Sequence, residues 1–165
     1  MALNILDTNG ATITKTGAAF EAYDVIRDSA ANPSSPVTLV VSDSGVADLA
    51  AELGSVSAQV TGSSNGSTIT TGAGNDTLLG GDGADTLNGG AGVDTAVFSG
   101  RRSHYHVNLP GNGFIEITDL RPGSPDGIDQ VIRVEQFIFS DGSFGAGQLL
   151  GGVHEARRPA RQQEV

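Results

Sequence analysis

The stretch of sequence that decides the fold reads TGAGNDTLL (71–79), GGDGADTLN (80–88) and GGAGVDTAV (89–97). Written in nines, the three units align an Asp, two glycines and an apolar residue in fixed columns: Asp76, Asp85 and Asp94; Gly72, Gly81 and Gly90; Gly74, Gly83 and Gly92; Leu78, Leu87 and Ala96. Self-similarity at a fixed period is the signature of a repeat architecture. The apolar column continues backward to Ile69 and Val60, but the unit GSSNGSTIT (62–70) has Ser67 in the Asp column. We therefore interpret 62–70 as a structural unit without the acidic residue.

Each unit divides into a turn of about six residues and a short strand whose central side chain points inward. Stacked units would place Val60, Ile69, Leu78, Leu87 and Ala96 in one apolar interior. That interior is narrow, and Gly loses more backbone entropy on ordering than other residues, so hydrophobic burial alone should not hold the stack. A further source of stability is expected.

The Gly and Asp columns predict that this further source is Ca²⁺. Glycine permits positive φ and close approach of two backbones, which aims carbonyl oxygens into the gap between turns, and calcium prefers carbonyl and carboxylate oxygens. Residues 61–100 contain no Lys or Arg to offset the carboxylates, so folding should be coupled to binding. A flexible linker has no reason to keep an apolar residue every nine positions, and a phosphate-binding loop would need Gly-x-x-x-x-Gly-Lys, which the sequence lacks.

The three tandem units resemble the RTX (repeat-in-toxin) proteins, whose nonapeptide GGxGxDxUx builds a calcium-binding parallel β-roll. In that family two nonapeptides make one coil, and an ion lies between turns two repeats apart. The resemblance implies one complete site between turns 71–76 and 89–94, with Asp76 and Asp94 as side-chain ligands. Carbonyls near four glycines would assist: Gly72, Gly74, Gly90 and Gly92. Asp85, with Gly81 and Gly83, would form a weaker site, because the turns expected beside it, 62–67 and 98–103, lack the Asp.

Composition excludes several other classes of function. The chain has 165 residues, a net charge of −10 and 24 Gly, so nucleic acid and anionic membranes are poor partners. The absence of Cys excludes disulfides, thiolate zinc sites and cysteine nucleophiles. No apolar run approaches the ~18 residues that span a bilayer, and the opening MALNILDTNG lacks the pattern of a removable leader. We expect a soluble protein.

The sequence divides into four predicted regions: a β-rich N-terminal cap (1–53), the roll (54–100), an antiparallel C-terminal cap (101–150) and a disordered tail (151–165). The tail fits the position of an uncleaved export signal. In the first region we expect short strands at 4–6, 11–14, 22–26 and 37–41, and a helix at 46–53. In the third, 104–109 and 114–120 predict a hairpin, and QVIRVEQFIFSDG (130–142) predicts one further strand.

The residue patterns that could indicate a catalytic or zinc site have low specificity. His104 and His106 share a strand face and could bind zinc, but two strand histidines at an edge are the commoner case. Ser103 beside His104 is no triad, since neighbours on a strand point to opposite faces. Four further acids fit turn caps better than a second calcium site: Asp119, Asp126, Asp129 and Asp141.

The sequence thus predicts an all-β protein, a short parallel β-roll between β-rich caps. The RTX resemblance implies type I export, and with it the favoured function is that of a non-enzymatic, secreted bacterial RTX protein, extracellular or on the cell surface, which type I secretion machinery exports and calcium folds. Two alternatives stay open: a surface or matrix adhesion module that binds polysaccharide, and the C-terminal tail of a larger secreted protease or lipase.

Overall fold

The computed structural model describes residues 5–20, 25–27 and 36–155, and the predictions for 22–24 and 156–165 lie outside this part of the chain. The strands are β1 (Ile5–Asp7), β2 (Thr12–Lys15), β3 (Val25–Arg27), β4 (Val37–Val41), β5 (Val46–Asp48), β6 (Ala58–Thr61), β7 (Thr68–Thr70), β8 (Thr77–Leu79), β9 (Thr86–Asn88), β10 (Thr95–Val97), β11 (Tyr105–Asn108), β12 (Ile115–Asp119), β13 (Ile128–Ile132), β14 (Gln136–Phe139) and β15 (Gly142–Gly145). The helices are α1 (Gly17–Phe20), α2 (Ala50–Leu53) and α3 (Ala146–Glu155), and a single 3₁₀ turn covers Arg102–His104.

Within the described residues the strands form two large sheets and one small pair. One sheet has the order β15-β14-β10-β8-β6-β4-β2, the other β11-β12-β13-β9-β7-β5, and β1 pairs with β3. From β4 to β10 the chain crosses from one sheet to the other and back, and each strand from β4 to β8 pairs in parallel with the strand two further along the chain. Two nonapeptides therefore make one coil, and the all-β, parallel β-roll prediction is confirmed.

The nine-residue apolar column lies in the interior between the sheets. Val60 pairs in register with Leu78, and Leu78 pairs in register with Ala96, in the seven-stranded sheet. Ile69 is level with Leu87 along the other. All five side chains are fully buried, which confirms the prediction for this column. Each of the strands β7 to β10 has only one buried central position, so the interior between them is as thin as the sequence predicts.

Parallel pairing extends beyond the nonapeptides at both ends. On the N-terminal side Ile13 is level with Leu39, and Leu39 with Val60. On the C-terminal side β13 pairs with β9 and β14 with β10, both in parallel. The boundaries at 53/54 and 100/101 stay predictions, although the coil runs across both positions.

Three predicted elements differ from the structure. Residues 46–53 form β5 and then α2 instead of one helix, because Ala47 pairs in line with Ile69 in the sheet. The strand expected at 130–142 breaks at Arg133, whose φ is 51°, and its halves join different sheets as β13 and β14. Helix α3 continues to Glu155, so 151–155 are not irregular. The hairpin prediction is confirmed by the antiparallel pair β11–β12.

The hairpin region holds a compact cluster around Tyr105. The rings of Phe98 and Phe139 stack at 5.2 Å, and Tyr105 lies against both. Phe98, Tyr105 and Phe139 belong to the same hydrophobic core as the apolar column of the repeats. Among the helices of the described residues, none has the length and apolar character needed to cross a bilayer.

Candidate functional site

The Asp residues of the repeats lie in two columns, one at each edge where the chain passes between the sheets. Turns 71–76 and 89–94 lead to strands of the seven-stranded sheet, and turns 62–67 and 80–85 lead to strands of the six-stranded sheet. We call these the first and second turn columns. A two-repeat coil necessarily places alternate turns at opposite edges, so Asp76 and Asp94 share the first column and Asp85 lies in the second.

In the first column each carboxylate receives a backbone hydrogen bond from the preceding coil. The Ala58 N–H donates to Asp76 Oδ1 at 2.8 Å, and the Asp76 N–H donates to Asp94 Oδ1 at 2.8 Å. The Asp94 N–H in turn donates to Glu135 Oε2 at 2.9 Å. One oxygen of each carboxylate thus fixes the stacking of successive turns.

The second column repeats this pattern with different residues. The Ser67 N–H donates to Asp85 Oδ1 at 2.6 Å, and the Asp85 N–H donates to Asp129 Oδ1 at 2.9 Å. The turn next to 80–85 is therefore 124–129, so the expectation that 98–103 lies there was wrong. The physical reason is the β11–β12 hairpin, which leads the chain away from the roll after β10 and returns it at residue 124.

The second carboxylate oxygen of each repeat Asp is buried without a partner. The Oδ2 atoms of Asp76, Asp85 and Asp94 are inaccessible to solvent and accept no hydrogen bond from the described residues. A buried charge that lacks its partner destabilises a folded protein by about 3–5 kcal/mol, because nothing compensates its lost hydration. A bound cation would satisfy these three atoms, two of which lie in the first column and one in the second.

Burial raises the pKa values of these carboxyl groups in the ion-free chain. Desolvation raises the pKa of Asp76, and it raises the pKa of Asp85 and of Asp94 to about 6. For Asp129, burial and the nearby charges of Asp85 and Asp126 raise the pKa to about 8. The ion-free site therefore holds protons in competition with a metal.

The glycines of the repeats hold the turns close enough for main-chain oxygens to share the site. Gly90 and Gly92 have φ values of 87° and 124°. A Cβ atom on either would collide with the carbonyl oxygen of Gly72 or Gly74, respectively, in the turn one coil earlier. A Cβ on Gly89 would lie 2.5 Å from Asp94 Oδ2. Carbonyl and carboxylate oxygens thus converge where side chains are absent.

This donor set fits calcium better than a transition metal. The described residues contain no group of three His, Cys, Asp or Glu side chains that could hold an ion by themselves. Main-chain carbonyls must therefore supply the remaining ligands. Calcium accepts six to eight oxygen ligands of this mixed kind, whereas zinc requires a tetrahedral set of N and S donors or carboxylates.

Residues 61–96 match the family model of the RTX calcium-binding nonapeptide repeat, in four copies. The chain carries RTX repeats. The RTX nonapeptide binds Ca²⁺, and the orphaned Oδ2 atoms lie in its turns. No match to the chain was found among curated proteins or among solved structures. The matched part ends at Ala96, before the hairpin, β13 and β14.

Two acids that face the RTX turns were missed by the sequence-based site prediction. Asp129 was interpreted as a turn cap and Glu135 as a strand residue, yet they follow Asp85 and Asp94 in the two columns. A signal for Asp129 was present, since GIDQVI (127–132) has the spacing of the second half of a nonapeptide. The hairpin insertion hid it by taking the segment out of the nine-residue register.

The other three acids weighed with Asp129 hold the C-terminal region together. Asp119 and Asp126 form ion pairs with Arg121 at 2.7 and 3.0 Å, and Asp126 also accepts hydrogen bonds from Tyr105 and Ser99. Asp141 accepts a hydrogen bond from the Arg102 N–H at 2.8 Å. These contacts give all three a local structural role.

The histidines do not form a site with these acids. His104 lies in the 3₁₀ turn rather than on the predicted strand, and its Nδ1 accepts a hydrogen bond from the Arg101 N–H at 3.3 Å. His106 is exposed on β11. The two therefore do not share a strand face.

Proposed function

We propose that calcium acts as the folding switch of a secreted, non-enzymatic RTX protein. The observation that carries the proposal is the set of three buried Oδ2 atoms that have no hydrogen-bond partner among the described residues, in a segment that contains no base. At low calcium the carboxylates repel one another across successive turns, and the thin core does not offset this cost. At extracellular calcium the ion neutralises them, so binding free energy becomes folding free energy.

The complete ion site lies between turns 71–76 and 89–94. Its carboxylate ligands are Asp76 and Asp94, and carbonyls of the glycine-rich turns complete the coordination. Extracellular calcium modules of this type bind with dissociation constants of about 10⁻⁴–10⁻³ M, which separates the cytosol from the exterior. Export of an unfolded chain by type I secretion machinery, to the medium or surface of a bacterium, is the setting in which such an affinity is useful.

A calcium titration followed by far-ultraviolet circular dichroism tests the proposal. The EDTA-treated protein should gain β signal cooperatively in millimolar Ca²⁺ and should not respond to Mg²⁺. Asp76→Asn combined with Asp94→Asn should abolish the response at these concentrations. The matched control is Asp141→Asn, which removes an exposed carboxylate outside both turn columns and keeps an oxygen that can accept the Arg102 N–H. A spectrum that is identical in EDTA and in calcium would refute the switch.

A further inference from the structure

The turn at 124–129 occupies the place of a repeat turn, although no nonapeptide was matched there. Strand β13 lies parallel to β9, with Gln130 level with Thr86 and Val131 level with Leu87. In this register SPDGIDQVI (124–132) aligns residue by residue with GGDGADTLN (80–88). The two segments share Asp at the third position, Gly at the fourth and Asp at the sixth, with an apolar residue at the eighth.

The contacts between these two turns copy those of the Asp76–Asp94 pair. The Asp85 N–H donates to Asp129 Oδ1 at 2.9 Å, as the Asp76 N–H donates to Asp94 Oδ1. Gly127 has a φ of 70° and lies against the Gly83 carbonyl oxygen, just as Gly92 lies against the carbonyl of Gly74. The backbone geometry that brings oxygens together in the first column is therefore present in the second column.

An unbalanced negative charge is buried at this junction. Asp85 and Asp129 are 2% and 3% exposed, and Asp85 Oδ2 has no partner among the described residues. That oxygen lies against Gly80, which lines a cleft of about 200 Å³ together with Gly81, Asp126 and Asp129.

The charge of Arg121 does not neutralise this junction. Arg121 is bound to Asp119 and Asp126, and Asp126 is further held by Tyr105 and Ser99. Asp126 is thus already satisfied and positions the turn. Neither Asp85 nor Asp129 forms an ion pair with a base in the part of the chain that the structure describes.

We infer that the junction between turns 80–85 and 124–129, beside this cleft, is a second calcium site, with Asp85 and Asp129 as its carboxylate ligands and main-chain carbonyls of both turns completing the shell. The ion contacts both turn 80–85, the last repeat turn of the second column, and turn 124–129, which follows the hairpin. Calcium thereby stabilises the contact between the C-terminal region and the roll. The inference rests on the proposed calcium-dependent folding, and it converts the weaker Asp85 site expected from the sequence into a complete one.

Luminescence of bound Tb³⁺, an oxygen-seeking substitute for Ca²⁺, tests this site directly. The chain has two Tyr and no Trp, so Tyr23→Phe leaves Tyr105 as the only residue that can sensitise the ion efficiently. Tyr105 is hydrogen-bonded to Asp126 at the cleft, whereas the Asp76–Asp94 site lies at the opposite edge of the roll. In this background we expect strong Tb³⁺ emission that Asp129→Asn removes and Asp94→Asn retains.

Calcium stoichiometry from isothermal titration provides the second readout. Asp129→Asn keeps an oxygen that can accept the Asp85 N–H, and should bind one calcium fewer than the parent chain, while Asp141→Asn should bind the same number. Equal stoichiometry and equal emission in Asp129→Asn would overturn the inference. A parent chain that does not respond to calcium at all would instead refute the proposed function.

Hydrogen exchange of the unmodified chain keeps the test decisive if Asp129→Asn does not fold. Calcium should protect the Gln130 amide, which donates to the Asp85 carbonyl, together with the amides of β8 to β10. Protection of β8 to β10 without protection of β13 would contradict a site that spans the two turns.

Discussion

At the scale of single residues, Gly92 shows how closely the turns approach. Its φ is 124°, and an added Cβ would collide with the Gly74 carbonyl oxygen. Gly111 has a similar positive φ of 90° but no atom within 4 Å of the same position. Both alanine variants carry backbone strain of about 1–2 kcal/mol, and only Gly92→Ala adds the collision, worth a further ~1–3 kcal/mol. Thermal unfolding in calcium should show the larger loss for Gly92→Ala, and equal losses would disprove the close approach.

The carboxyl groups of the repeats predict an unusual dependence on pH. In the ion-free chain burial raises the pKa of Asp85 and of Asp94 to about 6, above the ordinary value of 3.8. The folded state therefore binds more protons than the unfolded state between pH 4 and 6, and folding stability falls as pH rises through this range. Asp129, with its pKa raised to about 8, extends the loss to neutral pH.

We accordingly expect the protein in EDTA to keep more β structure at pH 5 than at pH 8, as measured by circular dichroism. In saturating calcium the difference should vanish or reverse, since protons then compete with the ion. Asp119 should not contribute, because hydrogen bonds from Arg121 overcome the effect of burial and lower its pKa to about 2. An ion-free protein that is more ordered at pH 8 would contradict the assignment.

At the scale of elements, Arg121 decides whether the β11–β12 hairpin stays on the roll. It bridges Asp119, whose side chain is fully buried, and Asp126, which is nearly so. Arg121→Gln would leave two acids without a counter-charge, and because Arg121 is partly exposed we expect a loss of about 1–3 kcal/mol. Arg133→Gln, at an exposed arginine, is the control. Urea unfolding in calcium should separate the two variants, and coincident curves would argue against the bridge.

Element prediction succeeded where the local pattern and the pairing agree. The column Leu78, Leu87 and Ala96 predicted three buried strands because their partners lie a fixed 18 residues away. The break at Arg133 was not visible in the sequence, because the alternation of apolar and polar residues over 130–142 is typical of one strand. The strand divides because β13 pairs with β9 in one sheet and β14 pairs with β10 in the other. Residues 46–53 have a composition typical of a helix, yet the first three of them form β5 because they pair in parallel with β7.

The candidate site was predictable to the same extent. Asp76, Asp85 and Asp94 follow from the nine-residue period, and the pairing of the first with the third follows from the RTX resemblance, in which two nonapeptides make one coil. Asp129 does not, because its partner Asp85 lies 44 residues away across the hairpin. A short motif such as Gly-x-Asp-x-Val at 127–131 becomes informative only when the topology places it beside a repeat turn.

At the scale of the whole molecule, the repeats should not fold without the C-terminal region. A chain shortened after Gly100 lacks β13 and β14, which cover the edges of β9 and β10. Leu87 and Ala96 would then lose Val131 and Phe137, and Phe98 would lose its stacking with Phe139. Repeat stacks need such end caps for stability. We expect no calcium-induced β signal from the shortened chain at concentrations that fold the complete one, and a normal titration would contradict this.

The hairpin insertion between β10 and β13 also sets an order of events in folding. Within the repeats, the amide that meets each stacked Asp is 18 residues away, whereas the Asp85–Asp129 contact closes 44 residues. Loop-closure entropy makes the longer closure costlier by about 0.8 kcal/mol. β11 and β12 are close in sequence, so their pairing shortens the effective loop between Asp85 and Asp129 before that contact forms. The final coil should therefore form last, after the nonapeptides have nucleated, and its rate should follow the stability of the hairpin.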